Sequence, residues 1–173
     1  MSSFRPLSRA VALAGLLLAT GAAAPAHAGP SEVALLKSYV GEWRGRGTLT
    51  GAETESVACR LTLREGNAGK VNYSGRCTIA GSTLSINGTM AYIDAARRFE
   101  AAMTTNADFS GLAVGQKRGD SLIFNLHERE RDRDQDVTIT AQITLRDGSI
   151  HVGFNVVYEQ SGEGLFAEVA LAQ

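Results

Sequence analysis

Cys59 and Cys77 are the two cysteines of this 173-residue chain. In an oxidising compartment such a pair forms a structural disulfide by default. Redox-active pairs use a C-x-x-C spacing beside a helix start, which these residues lack. A hairpin folded about Gly66-Asn67-Ala68-Gly69, with Val57 facing Ile79, places Cys59 opposite Cys77, Leu61 opposite Gly75 and Leu63 opposite Tyr73. Both sulfurs then share one apolar face, directly across adjacent strands. Other reactive side chains lack partners. Ser121 lies in Gly119-Asp120-Ser121-Leu122, but a serine nucleophile in that motif opens a helix after a strand. It also needs an Asp-x-x-His block downstream. Here the tetrapeptide reads as a hairpin turn, and Asp147 and His151 have the wrong spacing. His127 and His151 lie on the face opposite the apolar one, with no third ligand at metal-binding spacing. No cofactor motif is present, and no base and nucleophile can be paired, so the chain is read as a non-enzyme.

The first 28 residues define the compartment. Arg5 and Arg9 precede an apolar run from Ala10 to Ala19, and Ala26-His27-Ala28 closes the segment with small residues. This is the pattern of a secretory signal peptide, cleaved before Gly29. The run is shorter than the roughly 20 apolar residues that span a bilayer. Gly29 is not a cysteine, so no lipid anchor is implied. The expected location is periplasmic or secreted, with residues 29–173 forming one domain and no integral membrane segment remaining after cleavage. The leader holds two of the 17 basic residues and none of the 18 acidic ones, so the remainder carries a net charge of −3. That balance excludes the strongly basic footprint of a nucleic-acid binder.

The rest of the chain must be built from strands. Ser31 to Val40 reads as the one helix, capped by Ser31 and stopped by Gly41. Thereafter apolar residues recur with period two. Val137, Ile139, Ala141, Ile143 and Leu145 alternate with polar residues up to Asp147-Gly148, a type I′ turn signal. Closing that turn pairs Leu145 with Ile150, Ile143 with Val152, Ala141 with Phe154, Ile139 with Val156 and Val137 with Tyr158. Every pair falls on one face. Similar spacing gives strands near 42–51, 54–65, 70–79, 82–92, 97–105, 109–117 and 120–129, and a last one through Leu165, Ala167, Val169 and Leu171. About ten short strands joined by consecutive hairpins predict an all-β, antiparallel up-and-down barrel, which leaves no exposed sheet edge.

The inner face mixes large and small residues. Tyr73, Met90, Phe99, Met103, Phe124, Phe154 and Tyr158 are the candidate ligand-binding walls, with Gly75, Gly88, Ala101, Gly111 and Ala113 between them. If Gly115 opposes Leu122, Ala113 meets Phe124 and Gly111 meets Leu126, which would fill the interior. The glycines could equally leave room for an apolar guest. Leu112 and Val114 compete with this set for the inside. Residues 128–136 alternate in sign and would form a hairpin tip with one acidic and one basic face.

A short helix followed by Gly41-Glu42-Trp43 resembles the opening of lipocalins and their calycin relatives. That resemblance implies a helix plugging one end of a barrel, with Trp43 packed beneath it as the closing residue. Ten strands, and no arginine or lysine after Arg146, bring the chain nearer to the fatty-acid-binding branch and to small bacterial lipocalin-like proteins than to lipocalins proper. It also resembles small periplasmic inhibitors of secreted metalloproteases, which share the signal peptide, the early Gly-x-Trp and one disulfide. The first reading implies a barrel that binds a small apolar molecule. The second implies a protein-interaction module acting through surface loops such as 127–136. The exported protein should have an intact mass that starts at Gly29 and lies two hydrogens below the reduced value, which mass spectrometry checks directly.

Overall fold

The computed structural model describes residues 29–79, 81–132 and 134–173; the signal segment at 1–28 lies outside the described residues. Helix α1 (Pro30–Lys37) is followed by β1 (Gly41–Thr50), β2 (Thr54–Glu65), β3 (Val71–Ile79), β4 (Ser82–Ile93) and β5 (Arg98–Thr105). Then come β6 (Ser110–Arg118), β7 (Ser121–Asp132), β8 (Gln135–Arg146), β9 (Ser149–Tyr158) and β10 (Gly164–Ala172). Each strand pairs antiparallel with its chain neighbours, and β10 returns to β1, closing a barrel. The all-β up-and-down expectation is met, with each strand near its anticipated position.

Alternation fixes the inner face. In β8 the residues Val137, Ile139, Ala141 and Leu145 are buried, while the polar residues between them face outward. The β8–β9 register is the one that Asp147-Gly148 implies, from Leu145 with Ile150 to Val137 with Tyr158. Gly148 has a φ of 68°, which glycine adopts at little cost. The β2–β3 hairpin also pairs as expected, and Cys59 and Cys77 form the disulfide on its inner face. At a sequence separation of 18, the bridge contributes about 3 kcal/mol by limiting the unfolded chain.

Three expectations are corrected. The helix begins one residue early, because Pro30 has the fixed φ suited to a first helical position. Ser31 therefore does not cap it; its hydroxyl instead donates to Glu32 Oε2 at 2.7 Å. In β6–β7, Gly115 opposes Phe124 rather than Leu122, and Lys117 opposes Leu122. The turn closes tightly between Arg118 and Ser121 about Gly119 (φ 58°), which moves the register by two residues and keeps the same faces inward. Thus Ala113 is fully buried and Leu112 exposed. The charged hairpin does not form one acidic and one basic face. Arg131 pairs with Asp136, and Asp132 with Gln135, so reversal of the chain switches parity and sets Asp136 beside the arginines.

Closure of the barrel depends on two glycines. A Cβ on Gly45 would lie 1.9 Å from the Ala170 carbonyl oxygen, and one on Gly47 would lie 1.8 Å from that of Glu168. Both obstacles are backbone atoms of β10, which cannot move aside without breaking the seam. Gly45→Ala should therefore destabilise by about 3 kcal/mol, at the upper end for overpacking. Gly153→Ala, whose added Cβ would lie 4.0 Å from the Gln142 carbonyl oxygen, should change stability by less than about 1 kcal/mol. Denaturant unfolding of the two variants measures the difference.

Candidate functional site

The interior has two unlike halves. At the end carrying the β2–β3, β4–β5, β6–β7 and β8–β9 turns, α1 lies across the opening. Its Leu36 is fully buried, and Tyr39 donates its hydroxyl to the Leu145 carbonyl at 3.2 Å. Trp43, 1% exposed, sits beneath the helix and donates from Nε1 to the Tyr39 carbonyl at 3.0 Å. A buried indole N–H and a buried phenol are thus both satisfied, and each ties the plug to the wall. Lys37 and Glu65 form a further ion pair at 2.7 Å on the outside. Trp43 stands where the calycin resemblance places it.

Met90, Phe99 and Phe124 pack in this plugged half, each nearly or wholly buried. Phe99 meets Tyr92 edge-on with ring centroids 4.9 Å apart, and Phe124 with centroids 6.5 Å apart. Gly115 makes this possible, because a Cβ there would lie 2.6 Å from the Phe124 ring. Gly88 likewise makes room for Tyr73, whose ring would be 2.3 Å from an added Cβ. Small residues here are occupied by large neighbours, so this half is a packed core. Ala101, which might otherwise be enlarged to block a cavity, is only 3% exposed and belongs to the same packing.

The other end is different. It carries the β1–β2, β3–β4, β5–β6, β7–β8 and β9–β10 turns, and among the described residues no helix covers it. Inward-facing Met103, Phe154 and Tyr158 are all only half-buried there. Leu49 and Phe109, which sequence patterning did not single out, and Ile79 and Val156, which it placed on the apolar face without naming them as walls, share this half-buried state and pack against the core. Their even spacing with the known inner residues was the available signal. Glu128 also lies on the inner side, opposite Ile139, and its carboxylate accepts from the Leu112 N–H at 3.2 Å. The seven candidate wall residues therefore separate into two groups. Met90, Phe99 and Phe124 come together in the packed half, and Met103, Phe154 and Tyr158 in the open half. Tyr73 lies between them, donating its hydroxyl to the Ala102 carbonyl at 2.9 Å.

No family model matches the sequence, and neither does any curated protein. The backbone is similar to that of Rv2717c from M. tuberculosis, with a TM-score of 0.63 and 14% identity, covering 84% of this chain and 98% of that one. It is also similar to the S-type phycobiliprotein lyase CPES from Guillardia theta. There the TM-score is 0.52 at 12% identity, covering 80% of this chain and 89% of the other. At such identities the likeness is one of fold, a closed antiparallel β-barrel. Among the described residues no helix is long and apolar enough to cross a membrane.

Burial disfavours the phenolate of Tyr73 and raises its pKa strongly. Tyr39 shifts in the same direction, through burial first and then the charge of Asp147. Above about pH 10 the unfolded chain releases these protons while the folded protein retains them. Stability should therefore be fully present below that pH and fall as pH rises beyond it. Tyr73→Phe should cost about 1 kcal/mol at neutral pH through the lost Ala102 bond. It should also flatten the alkaline fall, as read from denaturant unfolding between about pH 8 and pH 11.

Proposed function

We propose that this is an exported lipocalin-like barrel that binds a small, mainly apolar molecule at its open end, and that it is a binding protein rather than an enzyme. The observation that carries the reading is a group of large inward side chains at the open end that are only half-buried. Met103, Phe154, Val156 and Tyr158 face inward there without being fully covered, beside Val57 and Val137, which are buried. Leaving inward apolar surface wet forgoes about 25 cal/mol for each Å², and a guest in that half would recover it. Tyr73, Met103, Phe154 and Tyr158 would contact the guest, while Met90, Phe99 and Phe124 would support them as core. Similarity to a barrel named as a phycobiliprotein lyase is compatible with this reading. Export rests on the leader at 1–28 and accords with the disulfide.

Native mass spectrometry of protein purified from an exporting host, with organic extraction of the same sample, tests the proposal. The expected result is a reproducible added mass that extraction releases. Ala167→Phe, at an inward position of the open half paired with Phe154 and Leu49, should abolish the adduct while the protein stays folded. Arg129→Ala combined with Arg131→Ala should leave it unchanged. An adduct that survives Ala167→Phe and is lost with the arginines would overturn the reading in favour of a surface-binding module.

A further inference from the structure

The outer face of the first three strands carries a row of arginines. Arg44 opposes Arg60 across β1 and β2, and Arg60 opposes Arg76 across β2 and β3. Neighbouring strands lie about 4.8 Å apart, so three guanidinium groups start from adjacent positions across the strands. Arg46 adds a fourth, two residues along β1. All four side chains are exposed. They line one shallow depression of about 580 Å³, with Ala58 and Thr78 between them. A second depression continues past Arg46 towards Glu55 and Ser56, so the cationic end is the one at Arg44, Arg60 and Arg76.

Like charges placed directly opposite one another on a sheet destabilise it. A barrel would normally interleave them with acids, as Arg98 and Glu100 do at 2.6 Å. Here Arg44 has an exposed ion pair with Glu42 at 3.2 Å. Among the described residues Arg46, Arg60 and Arg76 have neither an ion pair nor a side-chain hydrogen bond. The patch also opposes the negative charge of residues 29–173. On the inner side of the same two strands, the Cys59–Cys77 bridge joins β2 to β3 beside the Arg60–Arg76 pair. The repelling strands are thus held together covalently.

We propose that this face is a second binding site, separate from the barrel interior, for a ligand carrying two or more adjacent phosphate groups. A guanidinium presents a planar fork of donors that matches phosphate oxygens in pairs. One carboxylate would occupy a single fork. Several unpaired forks in one depression need a ligand with multiple charges and many acceptor oxygens within a short reach, which linked phosphates supply. Short Ala58 and Thr78 leave the ligand access to the floor between the arginines.

Isothermal titration with inorganic tripolyphosphate and with orthophosphate tests the proposal. Tripolyphosphate should bind, more tightly than orthophosphate, and its affinity should fall as salt rises. Arg60→Ala combined with Arg76→Ala should weaken it roughly tenfold or more. The same variant should keep or raise the melting temperature, because it relieves repulsion, so lost binding would not reflect unfolding. Arg129→Ala combined with Arg131→Ala should leave the affinity unchanged. No tripolyphosphate binding, equal weakening by the two double variants, or binding only to vesicles rich in anionic phospholipid would each overturn the proposal. None of these outcomes depends on whether the interior holds an apolar guest.

Discussion

The seam between β1 and β10 is the constraint on which the rest of the structure depends. Nine hairpins generate a curved sheet, but a barrel forms only if its first and last strands can hydrogen-bond. At Gly45 and Gly47 the two backbones approach so closely that neither position admits a side chain. Glycine there allows the first strand to bend against the last, the device by which closed sheets turn their corners. Once the seam exists, no strand edge remains open, and the parity of every strand follows from its neighbours. Trp43 then has a closed wall to pack against, and α1 has a defined opening to cover.

The two halves of the interior follow from what lies over each end. At the plugged end two hydrogen bonds, from Trp43 to Tyr39 and from Tyr39 to Leu145, join helix and wall. Aromatic rings fill the spaces left by Gly88 and Gly115. At the other end no element among the described residues supplies that lid, and the same alternation that buries Phe124 leaves Phe154 and Tyr158 partly accessible. The candidate site is therefore a local group of half-buried side chains at the open end, set among buried neighbours such as Val57 and Val137. Residue type alone does not make it, since aromatic and methionine residues occur in both halves.

This explains what the sequence could and could not reveal. The β8–β9 and β2–β3 registers were legible, because Asp147-Gly148 pinned one turn and the cysteines pinned the other. The β6–β7 register was not, because Gly119-Asp120 is a weaker turn signal and either register keeps the same faces inward. The charge pattern at 128–136 misled because alternation was followed through a turn, where parity changes. Half of the arginine row was within reach: if Cys59 faces Cys77, then Arg60 must face Arg76. Placing Arg44 beside them also required the β1–β2 register, for which Gly51 and its neighbours give no unique turn. The sorting of wall residues between two heights was beyond sequence, since periodicity reports which face a residue occupies and not what covers it.

The order of strands in the barrel also has a consequence for its history. Nearly all pairings join segments adjacent in the chain, so the loops to be closed are short and the hairpins can form as they emerge. The pairing of β1 with β10 is the exception, spanning almost the whole domain. A ribosome delivers β1 first and β10 last, so the opening strand must wait, unpaired on one side, until synthesis is nearly finished. Long-range closures of this kind are slow and leave chains exposed to wrong partners. The barrel's vulnerable interval is thus the time between its first strand and its last.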